Sequence, residues 1–207
     1  HIECSVMAKK YLGDEIDIHA GGEDLIFPHH ENEIAQSEAA NGVKFSRYWM
    51  HNAFLNIDGE KMSKSKGNFF TVRDISQHYD LQVLRFFMLS AHYRSPLNFS
   101  DELMEAAKNG LERIVNTAGN LDYLMNNSTG RSETLNADED PDFGKEYIAK
   151  FEEAMDDDCN TADAIAEVFE LVRAINSAVN ENSSMQFIGN AKDRLQVLCE
   201  VLGIITE

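Results

Sequence analysis

The pattern of apolar and polar positions predicts a mixed first half for this chain. Apolar residues recur at helical spacing over 2–12, alternate with polar ones over 16–20, and return to helical spacing from Pro28 to Asn41. A glycine follows each of these segments as a turn or stop signal. The order helix, strand, helix is therefore expected, with Pro28 in the first turn of the second helix.

Two further apolar segments complete the first half. Tyr48–Ile57 is aromatic and apolar, which predicts one strand that leads into the lysine-rich loop Asp58–Asn68. Leu81–Leu89 predicts a largely buried helix, in which Arg85 is expected to pair with a buried acid. Both predicted strands end at polar loops, where open α/β sheets bind their ligands.

From residue 101 onward the pattern is helical throughout. Ser100 is a good N-cap, and the domain boundary is placed there. The segments with one apolar face are 101–126, 142–156, 160–182 and 187–202, and residues 126–140 form an acidic connection. A helical bundle follows from this pattern.

Charge separates the same two halves. The net charge is -18, with 13 acidic and 10 basic residues in 1–100 against 23 acidic and 8 basic in 101–207. The strongly acidic second half disfavours nonspecific nucleic-acid binding there, because phosphate contacts require cations. All seven histidines lie in the first half, so ionisable chemistry is expected there.

Cysteine usage and hydropathy favour a cytoplasmic protein. Cys4, Cys159 and Cys199 are odd in number and far apart, which suits a reducing compartment. The sequence has no run of about 18 apolar residues that could span a membrane. Because the chain begins at His1 without a methionine, we expect it to be a fragment.

The loop Asp58–Asn68 is the first candidate for chemistry. Its three lysines alternate with two serines, and a glycine lies near each end. Glycines allow backbone N–H groups to approach an anion, hydroxyls add donors, and lysines neutralise phosphate charge. The loop therefore predicts polyphosphate binding, and the alternative is a solvated lysine-rich turn.

A second candidate is a metal site. His29 and Glu33 are four residues apart near a predicted helix start, so both side chains project from one face, and Cys4 is a possible third ligand. The alternative is a solvated capping cluster with a cysteine in the core.

Specific strings within these segments resemble a known family. Lys-Met-Ser-Lys-Ser at 61–65 resembles the signature loop of class I aminoacyl-tRNA synthetases, and residues 1–5, 17–25 and 27–36 resemble cysteinyl-tRNA synthetases in particular. The resemblance implies a mainly α protein with a partial α/β part. Its predicted parts are the C-terminal part of a Rossmann-like catalytic domain (1–57), the signature loop and a linking segment (58–99), and a helical bundle of tRNA-binding type (100–207).

The resemblance also implies an amino-acid pocket. In the family, zinc at its base is held by two cysteines, a histidine and a glutamate, which carry over to Cys4, His29 and Glu33 with one cysteine lying upstream. A histidine cluster lines the same pocket, and His19 and His30 are its candidates for substrate contact. Zinc prefers sulfur ligands, so such a site would separate cysteine from serine without editing.

For the signature loop, the resemblance implies ATP binding. Lys64 and Lys61 would stabilise the phosphates during adenylate formation, with Mg²⁺ on the triphosphate. Met62, Ser63 and Ser65 complete the ATP-binding loop.

The implied activity is ATP-dependent ligation of L-cysteine to its cognate tRNA through a cysteinyl-adenylate, by a monomer. The family's other signature, of the His-Ile-Gly-His type, does not occur in the 207 residues, so we expect the chain alone to be inactive. Two alternatives stay open at this stage. One is a cysteine ligase of the same fold that acts on an amino sugar, and the other is a noncatalytic interaction module.

Overall fold

The computed structural model describes residues 1–57, 59–62, 71–127 and 131–205. The helices are α1 (Ile2–Leu12), α2 (Glu31–Asn41), α3 (Val72–Ile75), α4 (Leu81–Leu89), α5 (Asp101–Asn126), α6 (Lys145–Asp156), α7 (Thr161–Ala178) and α8 (Met185–Leu202). The strands are β1 (Ile16–Gly22), β2 (Ser46–Asn52), β3 (Leu55–Ile57), β4 (Glu60–Lys61) and β5 (Leu97–Phe99). The mainly helical class with a small α/β part is confirmed.

The chain forms two compact units. Unit one comprises residues 1–67 and 93–98, and unit two comprises 68–92 and 99–207. The three-part division by function that the sequence predicts stays a prediction. Among the described residues, no helix combines the length and apolar character needed to cross a membrane.

Unit one is built on a parallel strand pair. In its register, Ile16 of β1 lies opposite Ser46 of β2, and Gly21 lies opposite His51. The pair is connected through α2, as a parallel crossover requires. Ser5 of α1 donates a hydrogen bond to Gln36 of α2 at 3.4 Å, so the two helices are also joined.

The prediction of a single strand over Tyr48–Ile57 is wrong. β2 and β3 belong to different sheets, and β3 lies between β4 and β5 in the second sheet. The reason is the backbone between them: Ala53 N–H donates to the Tyr93 carbonyl at 2.8 Å, and Leu97 N–H donates to the Phe54 carbonyl at 3.1 Å. These bonds take the chain out of the first sheet.

The second predicted helix begins later than expected. Phe27 has extended backbone angles (φ -129°, ψ 132°), and Ile26–His30 forms a wide π-type turn instead of a regular first turn. The helix α2 therefore begins at Glu31, with His30 as its N-cap residue. This displacement moves His30 from the predicted helix body to its entrance.

Unit two is a helical bundle with an apolar core. Its largest fully buried side chains come from α4, from the long helix α5 and from α7 and α8, and they are Phe87, Met104, Ile114, Leu121, Val168, Leu171, Ile175, Ile188, Leu195, Leu198 and Leu202. The side chains of Asp80, Ser100, Asn160 and Ser184 accept backbone N–H bonds at the starts of α4, α5, α7 and α8. The predicted pairing of Arg85 with a buried acid is not found in the described part of the chain, where its Nε instead donates to the Leu202 carbonyl at 2.7 Å.

A long connection between α5 and α6 is attached to the start of α8 by one carboxylate. Glu139 accepts hydrogen bonds from the backbone N–H and the hydroxyl of Ser184, at 2.8 and 2.5 Å. It also accepts bonds from the backbone N–H and side-chain amide of Asn136, at 2.8 and 3.2 Å. The same Ser184 hydroxyl accepts the Phe187 N–H at 3.1 Å and so caps α8.

Candidate functional site

The buried residues of unit one are unusual because most of them are polar. Within the described part of this unit the buried polar residues are Ser5, His30, Glu33, Ser37 and Ser46, against the buried apolar residues Ile16 and Phe45. Buried polar groups cost free energy unless they are fully partnered. Buried polar and ionisable side chains in place of apolar ones are typical of a binding or catalytic site, so we take this set as the candidate functional site.

The strand register places four of the site's residues on one face. His19 lies opposite Trp49, and Gly21 lies opposite His51, at the carboxyl ends of β1 and β2. Residues two apart on a strand point to the same side, so these two pairs share a face. The ring centroids of His19 and Trp49 are 4.8 Å apart, and Phe45 supports His19 at 5.3 Å.

The entrance of α2 adds two polar groups to this face. His30 is 4 % exposed and Glu33 is 5 % exposed. Glu33 Oε2 lies 3.1 Å from His19 Nε2, but this contact lacks hydrogen-bond geometry, and the buried oxygen has no hydrogen-bond partner among the residues that the structure describes. The carboxylate is therefore only partly satisfied by protein groups.

His30 joins the two strand ends. Its Nδ1 lies 2.8 Å from Nε2 of His51, and its ring contacts those of His19 and Trp49 at centroid distances of 4.8 and 5.2 Å. Burial lowers the pKa of His30, and the nearby His19 lowers it further. We therefore expect a neutral His30 at pH 7, with one donor and one acceptor nitrogen.

The structure brings together a different metal-type set from the one predicted. Ligand atoms of His19, His30 and Glu33 all lie within 4.8 Å of one another, and this is the one such group among the described residues. Of the predicted ligands, Glu33 belongs to it, but Cys4 is exposed on α1 and His29 Nδ1 contacts His1 Nε2 at 3.1 Å. The set Cys4, His29 and Glu33 is not assembled here and stays a prediction.

The donor set nevertheless fits a zinc ion. Two imidazole nitrogens and one carboxylate oxygen are the ligands of many catalytic zinc sites, which leave further positions open. The unpartnered oxygen of Glu33 is the observation that favours a cation here. His19 and His30, the two predicted substrate contacts, both lie in this group.

The predicted ATP-binding loop lies mostly outside the described residues. This applies to Ser63, Lys64, Ser65 and the side chain of Lys61. The backbone of Lys61 belongs to β4, and Met62 N–H donates to the Leu55 carbonyl at 3.1 Å. The loop's phosphate-binding role stays a prediction.

His51 and Trp49 are members of the site that the sequence interpretation missed. Both lie near the carboxyl end of β2, directly beside His19 and Gly21 of β1. A parallel alignment of the two predicted strands would have found them.

Among the cysteines, burial raises the pKa of Cys199 to about 12, which makes it an inert core thiol.

Comparisons with known proteins add a family to this geometry. Residues 1–109 match the family described as the tRNA synthetases class I (C) catalytic domain, and residues 150–206 match the family described as the DALR domain. The chain is 62 % identical to a cysteine–tRNA ligase of Lachnospira eligens over 214 residues and 58 % identical to one of Clostridioides difficile over 210 residues. In both comparisons all of this chain is covered, but it spans only 44 % of the relative's length.

Solved structures show the same fold at low sequence identity. A structure described as the LeuRS–tRNA–LeuAMS ternary complex of Agrobacterium radiobacter K84 aligns with a TM-score of 0.73 at 20 % identity, covering 92 % of this chain and 26 % of that one. Methionyl-tRNA synthetase of Mycobacterium tuberculosis, in complex with methionyl-adenylate, aligns with a TM-score of 0.64 at 20 % identity, covering 91 % and 40 %. The predicted class I synthetase fold is confirmed.

Proposed function

The chain belongs to the family of class I (C) tRNA synthetase catalytic domains, and on that basis we propose that the whole protein ligates L-cysteine to its cognate tRNA. The reaction would consume ATP and pass through a cysteinyl-adenylate. The names of the similar proteins support this proposal, since cysteine–tRNA ligases match the full chain at 62 % and 58 % identity. The family match also disfavours an interaction module with a chance signature loop.

The amino-acid site is proposed at the carboxyl ends of β1 and β2. Glu33 would hold a zinc ion, together with His19 and His30 or with Cys4 and His29. When bound, zinc would accept the sulfur of L-cysteine and so distinguish it from serine. The aromatic rings of Trp49 and Phe45 pack against His19 and limit the movement of its ring.

The second part of the proposal concerns ATP. Lys61 and Lys64 would neutralise the triphosphate as the amino-acid carboxylate attacks the α-phosphate, and Mg²⁺ would accompany ATP. Met62, Ser63 and Ser65 would shape the loop around the phosphates. We further propose that the whole protein binds the cognate tRNA, is a monomer and is located in the cytoplasm.

The observation that carries the amino-acid site is the buried and incompletely partnered carboxylate of Glu33. It is common to both possible ligand sets. The test is the zinc content of the purified chain, which we expect to be about one ion per chain and to be lost in Glu33→Gln. Loss in Cys4→Ser and His29→Asn would identify the set that the resemblance implies, whereas loss in His19→Asn would identify the set that the structure assembles.

A comparison of L-cysteine and L-serine binding can contradict the proposed amino-acid pocket. We expect the zinc-loaded chain to bind L-cysteine at least ~100-fold more tightly than L-serine, because a thiolate ligates zinc far better than a hydroxyl. A chain that takes up no zinc and does not discriminate between them contradicts the proposed pocket. An assay of the whole protein with each acceptor decides between them: we expect transfer of cysteine to tRNA and none to an amino sugar.

A further inference from the structure

His30 is held between the ends of both strands in unit one. The two residues beneath it, Gly21 and His51, are partners in the parallel register. One edge of its ring carries Nδ1, which lies 2.8 Å from His51 Nε2. The neighbouring edge, formed by Cε1 and Nε2, packs on Gly21, because a Cβ added there would lie 2.9 Å from His30 Cε1 and 3.1 Å from Nε2. The ring therefore fits only because residue 21 has no side chain.

Burial separates the roles of the two histidines. His30 is almost completely buried, whereas His51 is half-buried and its ring lies nearly parallel to that of Trp49, at 9° and 6.1 Å. With Nε2 of His51 engaged by His30, the remaining polar atom of the His51 ring is Nδ1. In a hydrogen bond between two imidazoles one nitrogen donates and the other accepts, so the tautomer of each ring depends on the other.

We propose that His30 is a positioning residue, which fixes the ring orientation and tautomer of His51 at the carboxyl end of β2. Through this bond it determines which nitrogen His51 presents to the bound amino acid. The identity of that amino acid as L-cysteine rests on the proposed function, but the bond itself does not. This role differs from the direct substrate contact that the resemblance implies for His30.

Two substitutions at position 30 test the two ring nitrogens of His30 individually. Asparagine places a polar atom where Nδ1 lies, whereas the amide of glutamine extends to the position of Nε2. The measurement is the histidine side-chain ¹⁵N spectrum of the full chain. A chelator is present, so that no bound metal changes the histidine signals. We expect one fixed tautomer for His51 in the wild type and in His30→Asn, and averaging of both tautomers in His30→Gln. His78→Asn, at an exposed histidine of unit two, is the control.

A second variant keeps the test independent of changes to His30 itself. Gly21→Ala should displace the His30 ring and average the His51 tautomers, whereas Gly22→Ala, whose added Cβ meets only the end of the Asp24 side chain, should not. Unchanged His51 signals in both His30→Gln and Gly21→Ala would overturn the proposal, as would equal averaging in His30→Asn and His30→Gln.

Ligand binding distinguishes this inference from the proposed function. In the metal-loaded chain we expect L-cysteine to bind about fivefold more weakly in His30→Gln, the effect of one hydrogen bond, and as tightly as in the wild type in the control His78→Asn. If the wild type does not bind L-cysteine, the proposed function fails, while the spectra still decide the role of His30.

Discussion

Glu139 shows how a single side chain can organise a long connection. Its carboxylate accepts four hydrogen bonds from Asn136 and Ser184, and Ser184 is fully buried. Burial by itself raises the pKa of Glu139, but the bonds from Ser184 and Asn136 outweigh it and hold the pKa below its usual value. The ionised form therefore stabilises the folded state.

Replacement of Glu139 by glutamine should destabilise unit two in a pH-dependent way. Because the folded pKa is depressed, the contribution is present above the unfolded pKa of about 4.3 and is lost as pH falls through the folded value. We expect Glu139→Gln to lower the free energy of unfolding by about 1–2 kcal/mol at pH 7. Urea unfolding from pH 7 to pH 3 tests this.

The difference between Glu139→Gln and wild type should shrink as the pH falls. Glu133→Gln, at an exposed glutamate of the same connection, is the matched control and should change the unfolding free energy little. A constant difference across the pH range would show that the negative charge of Glu139 is not what stabilises the connection.

Only some of the site's residues could be assigned from the sequence. His19 and His30 came from motif resemblance, and the structure places both in the buried group with Glu33. His29 and His30 are four and three residues before Glu33, and both spacings fall on one helix face, so the sequence does not decide which histidine approaches Glu33. His51 depends on strand register, which is a long-range property.

At the scale of elements, helices were far more predictable than strands. The predicted bounds of α1, α4 and α5 agree with the structure, because apolar periodicity and caps such as Ser100 are local signals. The split between β2 and β3 depends on hydrogen bonds to Tyr93 and Leu97, about forty residues away. Periodicity within a short apolar run contains no information about such partners.

Two glycines in α5 provide a matched test of helix packing. A Cβ at Gly110 would lie 3.1 Å from Cε1 of Phe86 and 3.3 Å from Cζ of Phe169, whereas nothing lies within 4 Å at Gly119. Alanine is favoured over glycine within a helix by about 1 kcal/mol. We expect Gly119→Ala to stabilise the protein by about that amount.

Gly110→Ala should gain less than Gly119→Ala or be destabilising, because α4 and α7 approach α5 closely at this point through Phe86 and Phe169. Thermal unfolding of both variants measures the difference. Equal stabilisation would mean that the two aromatic rings move aside without cost.

At the scale of the whole molecule, the two units are stabilised by different interactions. Unit two has a continuous apolar core, whereas the buried residues of unit one include more polar than apolar side chains in the described part. Apolar burial supplies most of the favourable free energy of folding. The unit that contains the candidate site is therefore expected to be the less stable one.

Hydrogen exchange should reveal this difference. We expect backbone amides of β1 and β2 to exchange at least ~10-fold faster than those of α5 and α7, because local opening requires less apolar exposure in unit one. Peptide-level exchange measured by mass spectrometry provides the rates. Similar protection in the two units would contradict the assignment of lower stability to unit one.

The strand pair in unit one also bears on the tendency of the protein to self-associate in concentrated samples. Among the described residues β1 and β2 pair only with each other, and Ile18 and Tyr48 on them are 58 % and 69 % exposed. Within the described ranges the outer edge of each strand is therefore unpaired beside apolar side chains, which is the arrangement that favours pairing with a strand of another chain. The shelf life of concentrated samples is therefore expected to depend on these fourteen residues more than on the helical bundle.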